Sequence, residues 1–142
     1  MKLEIEAFYT FDDLKSEFGK DMSFAFVKNK TVRALGLVPE MNTSFRNKVP
    51  PIGRIMVAKG DGREAAARLL RGSQSPIPVF VKHDTNKWMY IGDYKFKYLW
   101  EDPADFREYL TEAPKKLDEI VMMVEMTHVK EKATVRRPKA AA

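Results

Sequence analysis

Aromatic side chains recur at every second position through one stretch of the chain. Between residues 88 and 100 every even position except Gly92 is aromatic, giving Trp88, Tyr90, Tyr94, Phe96, Tyr98 and Trp100. Because side chains alternate between the two faces of a β-strand, this spacing predicts a strand with six rings on one face. A ring left accessible on such a face can stack on a nucleobase, since every base has a π-face.

Most rings in a stripe of this kind are expected to be buried in a hydrophobic core. A straight strand over residues 88–100 would be about 43 Å long, too long for so small a domain. The strand must therefore bend, and Gly92 is the position where a bulge is least unfavourable. We predict that Phe96 and Tyr98 are core residues. We also predict that at least one of three other rings stacks on a nucleobase: Trp88, Tyr90 or Tyr94.

Positive charge is concentrated in two segments. Residues 28–71 carry ten basic and three acidic side chains, and residues 130–142 carry five and one. Residues 1–27 and 72–129 each carry three more acidic than basic side chains. Such segregation is typical of a protein that meets a polyanion. The cations within residues 28–71 that we predict to contact nucleic acid are Arg46, Lys48, Arg54, Lys59 and Arg63.

Two of these cations flank a glycine-containing turn. Residues 57–63, Val-Ala-Lys-Gly-Asp-Gly-Arg, are expected to form the end of a strand, a turn and the start of a helix. Backbone N–H groups at a helix start favour an anion, and Lys59 and Arg63 lie on either side. The Gly-Lys-Ser/Thr ending of a nucleotide-binding loop is missing. The structural alternative is a tight turn in which Asp61 caps the helix.

The other three cations surround Pro50 and Pro51. Prolines and small polar residues interrupt regular structure from residue 39 to residue 51, so Arg46 and Lys48 are expected on a long loop that ends close to Arg54. Long loops in compact domains are often functional. A solvated loop without a ligand is the alternative interpretation.

Residues suited to catalysis or metal binding do not form a recognisable group. Cysteine is absent, which excludes thiolate metal sites and a cysteine nucleophile. His83 and His128 have no ligand spacing between them. The adjacent acids Asp12 and Asp13 would not face each other on a helix. We therefore predict no enzymatic activity, no metal and no cofactor.

The elements expected to position these residues are short and follow no regular βαβ order. Strands are expected near residues 3–7, 24–27, 32–37, 55–58, 77–82, 88–100 and 120–129, and helices near 11–18, 63–70 and 103–110. This order predicts one α+β domain over residues 1–129, with a bent, largely antiparallel sheet or small barrel and about three short helices. Residues 130–142 are expected to be a basic disordered tail or linker.

Neither a signal-peptide core nor an apolar run of membrane-spanning length is present in the sequence. We therefore expect no membrane association. The expected location is intracellular: cytoplasmic, or nuclear if the source is eukaryotic. The sequence does not indicate an oligomeric state.

Residues 50–100 also resemble a known group of domains. The residues concerned are Pro51-x-Gly53-Arg54-Ile55-Met56-Val57, Val79-Phe80-Val81 and Trp88-x-Tyr90-x-Gly92-x-Tyr94. The part Tyr90-x-Gly92-x-Tyr94-x-Phe96 resembles the Tyr-Asp-Gly region of SET- and RING-associated (SRA) domains, with Ile91 in the place of the family's Asp. Those domains have PUA-like bent sheets and flip a modified cytosine into a pocket. The resemblance implies a PUA-like fold and recognition of a modified base.

The function that these observations favour is nucleic-acid binding, with DNA preferred over RNA. The module would read a modified or flipped base as the targeting domain of a larger restriction or repair system, with a catalytic domain or subunit as partner. Two alternatives are a protein-interaction domain for an acidic partner and a small-ligand-binding barrel. A steep salt dependence would distinguish phosphate contacts from a neutral pocket.

Overall fold

The computed structural model describes residues 2–38, 52–112 and 119–129. The first half contains β1 (Phe8–Tyr9), α1 (Phe11–Phe18), β2 (Lys20–Met22), β3 (Ala25–Lys28), β4 (Thr31–Leu37) and β5 (Ile52–Ala58). The second half contains α2 (Asp61–Arg71), β6 (Ile77–Asp84), β7 (Lys87–Trp100), a 3₁₀ helix η1 (Pro103–Glu112) and β8 (Ile120–His128). No helix within these ranges has the length and apolar character needed to cross a bilayer.

Local sequence explains several element boundaries. Thr10 and Asp13 form a capping box at the start of α1, in which the Thr10 hydroxyl accepts from the Asp13 N–H and the Asp13 carboxylate accepts from the Thr10 N–H, each at 3.1 Å. Gly19 ends the helix with φ 111°. The β3–β4 hairpin turns on Asn29 and Lys30, both at positive φ, as a two-residue type I′ turn requires.

The strands form one curled sheet in the order β2-β3-β4-β6-β7-β8-β5, with β1 added beside β7. The β4–β6 pair is parallel, and the other pairs between described strands are antiparallel. Helix α2 packs against β4, β5, β7 and β8 and so lies across the open side of the curl. The predicted α+β class and the bent, largely antiparallel sheet are confirmed.

Each face of the sheet is buried under different elements. The inner face, which α2 covers with Ala66, Ala67 and Leu70, forms the largest apolar cluster. On the outer face, α1 covers a second cluster that includes Phe26, Phe80 and Trp88. Helix η1 covers a third cluster, built around Met56, Phe106, Ile120 and Met123, on the same outer face. The sheet therefore has core residues packed on both of its faces.

The aromatic stripe on β7 does not stay on one face. Ile91 is an extra residue in the pairing with β6, because Phe80 pairs with Tyr90 and Val79 with Gly92. Lys97 is an extra residue in the pairing with β8 in the same way. Each bulge reverses the side on which even positions lie. The outcome, in chain order, is Trp88 and Tyr90 in the outer cluster, Tyr94 and Phe96 in the inner one, and Tyr98 and Trp100 outside again.

The expectation of six rings on one face is therefore wrong, although the bulge predicted beside Gly92 is present, with φ 118° at that glycine. The core assignment of Tyr98 is also wrong, since this side chain is 53% exposed. Phe96 packs, partly buried, against the inner cluster as expected. The first strand comprises Phe8–Tyr9, not the residues near 3–7, and it leaves Ile5 exposed.

Candidate nucleic-acid interface

A cavity of about 200 Å³ opens between the ends of β4 and β5, beside the start of α2. Its walls are mainly apolar, and Ser23 and Arg63 supply polar groups at its edge. The apolar side chains that line it are Phe24, Val38, Ile55 and Met56. The cavity is thus a gap in the curl between the β2–β3–β4 end of the sheet and its opposite edge, β5.

A tight turn forms the wall of the cavity on the β3 side. Met22 pairs with Ala25, so Ser23 and Phe24 make a two-residue turn in which Ser23 has φ 65°. The Gly36 N–H donates to the Phe24 carbonyl at 2.9 Å, which fixes the turn against β4. A side chain at Gly36 would meet the ring of Trp88 at 3.2 Å. The turn and the adjoining strand are therefore held close together.

The start of α2 forms the opposite wall and is internally hydrogen-bonded. The Gly60 N–H donates to the Glu64 carboxylate at 3.0 Å. Arg63 donates to the carbonyls of Ala58 at 3.2 Å and Lys59 at 2.5 Å. Gly60, not Asp61, is the N-cap, and its position has no side-chain cap hydrogen bond. The helix start thus already holds a carboxylate, and Arg63 is oriented by the turn.

The remaining predicted cations lie in different settings. Lys59 is exposed. Arg54 lies in β5 with its guanidinium 4.5 Å from the centre of the Tyr109 ring, and it pairs in register with Glu125. The negative charge of Glu108 raises the pKa of the Tyr109 phenol, and Arg54 opposes part of that effect. Arg46 and Lys48 lie outside the described residues.

Trp88, Tyr90 and Tyr94, of which at least one was predicted to stack on a base, are all buried. Trp88 and Tyr90 lie under α1, where the Tyr90 hydroxyl donates to the Asp93 carboxylate at 2.6 Å. Tyr94 is fully buried in the inner core, and this burial raises the pKa of its phenol to about 12. Trp88 lies beside Gly36, where an added Cβ would be 3.2 Å from its ring and 3.2 Å from the Phe26 ring. The structure does not gather these rings around the cations.

The accessible rings are ones that sequence reasoning missed or assigned to the core. Phe8 is 52% exposed and Tyr98 is 53% exposed. Tyr98 meets Trp100 edge-on at 4.8 Å, and the Trp100 indole N–H donates to Glu125 at 2.8 Å. Phe8 gave no sequence signal, because a two-residue strand has no periodicity to read.

No group of three or more histidine, aspartate or glutamate side chains in the described ranges is arranged to hold a metal ion. His83 lies against Phe8, with ring centres 5.6 Å apart, and His128 lies against Tyr94 at 5.0 Å. Each described histidine is therefore in contact with an aromatic ring.

Comparison with known proteins bears on the fold. No protein-family model and no curated protein matches the chain. Among solved structures, the chain is similar to the SRA domain of SUVH5, solved in complex with fully methylated CG DNA. The TM-score is 0.51, the alignment covers 89% of each chain, and sequence identity is 9%. At this identity the likeness shows the fold, and it confirms at that level the resemblance seen in residues 50–100.

Proposed function

We propose that the chain is a nucleic-acid-binding module that contacts DNA at the cavity between the ends of β4 and β5. The observation that supports this most directly is the cavity between β4 and β5, in a fold similar to that of a domain solved with methylated DNA. Fold likeness alone does not determine function, so the proposal depends on what the cavity can hold.

The cavity suits a flat, ring-sized group. Its volume of about 200 Å³ is below the roughly 300–1,000 Å³ of pockets for drug-sized ligands. Phe24, Val38 and Met56 offer apolar surface to the faces of a base, and the Ser23 hydroxyl can donate and accept at its edge. In our proposal a base extruded from the duplex enters here, as in enzymes and readers that unstack a single nucleotide.

Cations around the cavity would hold the flanking phosphates. Lys59 is exposed next to the wall formed by α2. Arg46 and Lys48 belong to the basic segment 28–71. We assign the strongest phosphate contacts to Arg46, Lys48 and Lys59, whereas Arg54 and Arg63 also serve the packing described above.

In this proposal the module supplies recognition, and a catalytic domain or subunit supplies the chemistry. The combination would target a restriction or repair activity to a modified or damaged base. Contacts that depend on phosphate make association steeply salt-dependent. Entry of a base adds selectivity, because a mismatched or modified base leaves the stack more easily.

A fluorescence anisotropy titration tests the proposal. The probes are single- and double-stranded oligonucleotides with plain, methylated or mismatched cytosine. We expect binding that weakens steeply with salt and is tightest for an altered duplex. Absence of binding to every probe would contradict the proposal and favour an acidic protein partner. Binding of small molecules without a salt slope would favour the ligand-barrel alternative.

A variant that fills the cavity tests whether the extruded base binds there. Val38→Trp places a large side chain at the cavity wall, and we expect it to abolish the preference for the altered duplex while plain DNA still binds. Thr127→Trp, on an exposed position of β8, is the matched control and should keep the preference. A preserved preference in Val38→Trp would place the base elsewhere.

A further inference from the structure

The outer face of β7 carries two lysines and an exposed ring at the second bulge of the strand. Phe96 packs against the inner cluster, and Leu99 belongs to it. Neighbouring side chains on a strand point to opposite faces, so Lys95 and Lys97, on either side of Phe96, point outward. Tyr98 points outward for the same reason, because it precedes Leu99. The bulge thus places a lysine and a tyrosine, both exposed, next to each other on one face.

The Tyr98 ring is held in place by its neighbours. Trp100 meets it at 70°, with ring centres 4.8 Å apart. Trp100 in turn packs against the cluster under η1, and its indole N–H donates to the Glu125 carboxylate at 2.8 Å. The Tyr98 side chain nevertheless remains 53% exposed. A surface that is formed before binding loses little entropy when a ligand binds.

The charge around this ring suits an anion. Lys95 and Lys97 are exposed, and neither is ion-paired with another residue in the ranges that the structure describes. The acid nearest in register, Glu125, faces Arg54 on its other side. A ring that stacks on a base, with cations that follow the phosphates, is the combination by which proteins bind single-stranded nucleic acid.

The cavity opens on the same face of the sheet. A Cβ at Gly36 would meet two rings of the outer cluster at 3.2 Å, and Val38 packs against that cluster. Met56, on the other side of the cavity, belongs to the cluster under η1. These three residues line the cavity and lie on the outer face, as Tyr98 does.

Strand register gives the distance from the cavity to the ring. Arg54 lies two residues before Met56 on the same face of β5, Arg54 pairs with Glu125, and Glu125 pairs with Tyr98. Two strand spacings of about 4.8 Å across the sheet and two residues of about 3.3 Å along β5 place Tyr98 about 12 Å from Met56. At roughly 3.4 Å per nucleotide, this distance is the reach of about three or four nucleotides.

We infer that Lys95, Lys97 and Tyr98 form a second nucleic-acid contact beside the cavity. The Tyr98 ring stacks on an unpaired base of the strand whose extruded base enters the cavity, and the two lysines contact the phosphates next to it. This inference rests on the proposed function.

Phe8 and Lys87 supply the matched control. The Phe8 side chain is 52% exposed, and the Lys87 ammonium lies 5.9 Å from the centre of its ring. Phe8 pairs with Met89, a residue of the inner cluster, and register partners share a face. An exposed ring with a lysine beside it is therefore present on the opposite face from Tyr98.

Anisotropy titrations test the inference with a blunt duplex that carries an altered cytosine. Two further probes add a single-stranded extension that begins about three base pairs from that cytosine, on its 5′ or 3′ side. We expect wild type to bind one extended probe roughly 5- to 150-fold more tightly than the blunt one, the range for one stacked base. Tyr98→Ala should remove this gain and keep its affinity for the blunt duplex.

The lysines are tested by the salt dependence of binding to the extended probe. Lys95→Ala and Lys97→Ala should each lower the salt slope by about one, as loss of one phosphate contact does. Phe8→Ala and Lys87→Ala should change neither the gain nor the slope. An equal loss of the gain in Phe8→Ala would overturn the assignment to Tyr98.

Two further variants separate stacking from folding. Tyr98→Phe keeps the ring, whereas Tyr98→Leu keeps an apolar side chain without a π-face. We expect both to melt with wild type, and only Tyr98→Phe to keep the gain. A gain retained in Tyr98→Leu, or equal wild-type affinities for blunt and extended probes, would overturn the inference and leave the proposed function intact. Failure of wild type to bind any of these probes would overturn both.

Discussion

The first half of β7, residues 87–94, and its second half, residues 95–100, carry the same alternation of aromatic residues but differ in burial. Trp88, Tyr90 and Tyr94 are enclosed, whereas Tyr98 is half exposed. In the first half, β7 lies between β6 and β1 and is covered on both faces by packed side chains. In the second half its outer face is only partly covered by η1. Aromatic spacing therefore predicted a strand, and the neighbouring elements decided which rings are accessible.

The largest expected effect is loss of the Tyr94 ring. Tyr94 is fully buried in the inner cluster, so Tyr94→Ala should destabilise the domain by about 3–5 kcal/mol, as truncation of a large buried ring does. Urea unfolding followed by tryptophan fluorescence measures this. A loss below about 1 kcal/mol would mean that the inner cluster does not depend on this ring.

Gly92, at the point where the stripe changes face, should give the next effect. Its φ of 118° disfavours any other residue, and an added Cβ would lie 2.8 Å from Nε2 of His128. We expect Gly92→Ala to destabilise by about 1–3 kcal/mol, the range for a strained backbone position. In the double variant with His128→Ala, we expect recovery only of the stability lost through the contact with His128, because the strain of the positive φ remains.

Gly62→Ala is the matched control for Gly92→Ala. A Cβ at Gly62 meets nothing within 4 Å, and the residue lies in the first turn of α2. We expect unchanged or slightly higher stability, because alanine favours helix. Equal losses in Gly62→Ala and Gly92→Ala would show that β7 has no special requirement at the bulge.

A smaller effect appears only in alkaline solution. Burial raises the Tyr94 pKa to about 12, above the value of about 10 for an unfolded tyrosine. Between these values the unfolded chain releases a proton that the folded chain keeps, so stability falls as pH rises. Tyr94→Phe should lose less stability than wild type between pH 10 and 12 in parallel urea titrations. Identical pH profiles would indicate that the phenol is accessible.

Among the rings of β7, the smallest expected effect is at Tyr98. Truncation of a ring that is 53% exposed should change the free energy of unfolding by no more than about 0.5 kcal/mol. The same urea titration as for Tyr94→Ala provides the comparison. A loss as large as that of Tyr94→Ala would show that the second half of β7 depends on its rings as much as the first.

Local patterns were sufficient for most of the elements. Thr10, Asp13 and Gly19 specify both ends of α1, because capping depends on hydrogen bonds within a few residues. The turn at Asn29 and Lys30 and the bulge beside Gly92 were also predictable, since positive φ and chain bending leave a residue-type signal. The α+β class followed from the order of these elements.

The candidate site was less predictable. Arg63 lines the cavity and Lys59 follows Ala58, which also lines it. The helix start between the two cations holds the Glu64 carboxylate, a contact that no spacing in the sequence indicated. Phe8 escaped notice because its exposure depends on which strand pairs with Met89. Assignment of nucleic-acid contacts to Arg46 and Lys48 remains a prediction.

The sequence by itself determined where strands, turns and helix ends occur, that cysteine chemistry is excluded, and that positive charge is concentrated in residues 28–71. Only the tertiary structure decided which face each ring occupies. Two inserted residues, Ile91 and Lys97, reverse the alternation on β7, and their effect exists only in the pairing with β6 and β8. Register and coverage are set by residues distant in the chain, and side-chain accessibility follows from them.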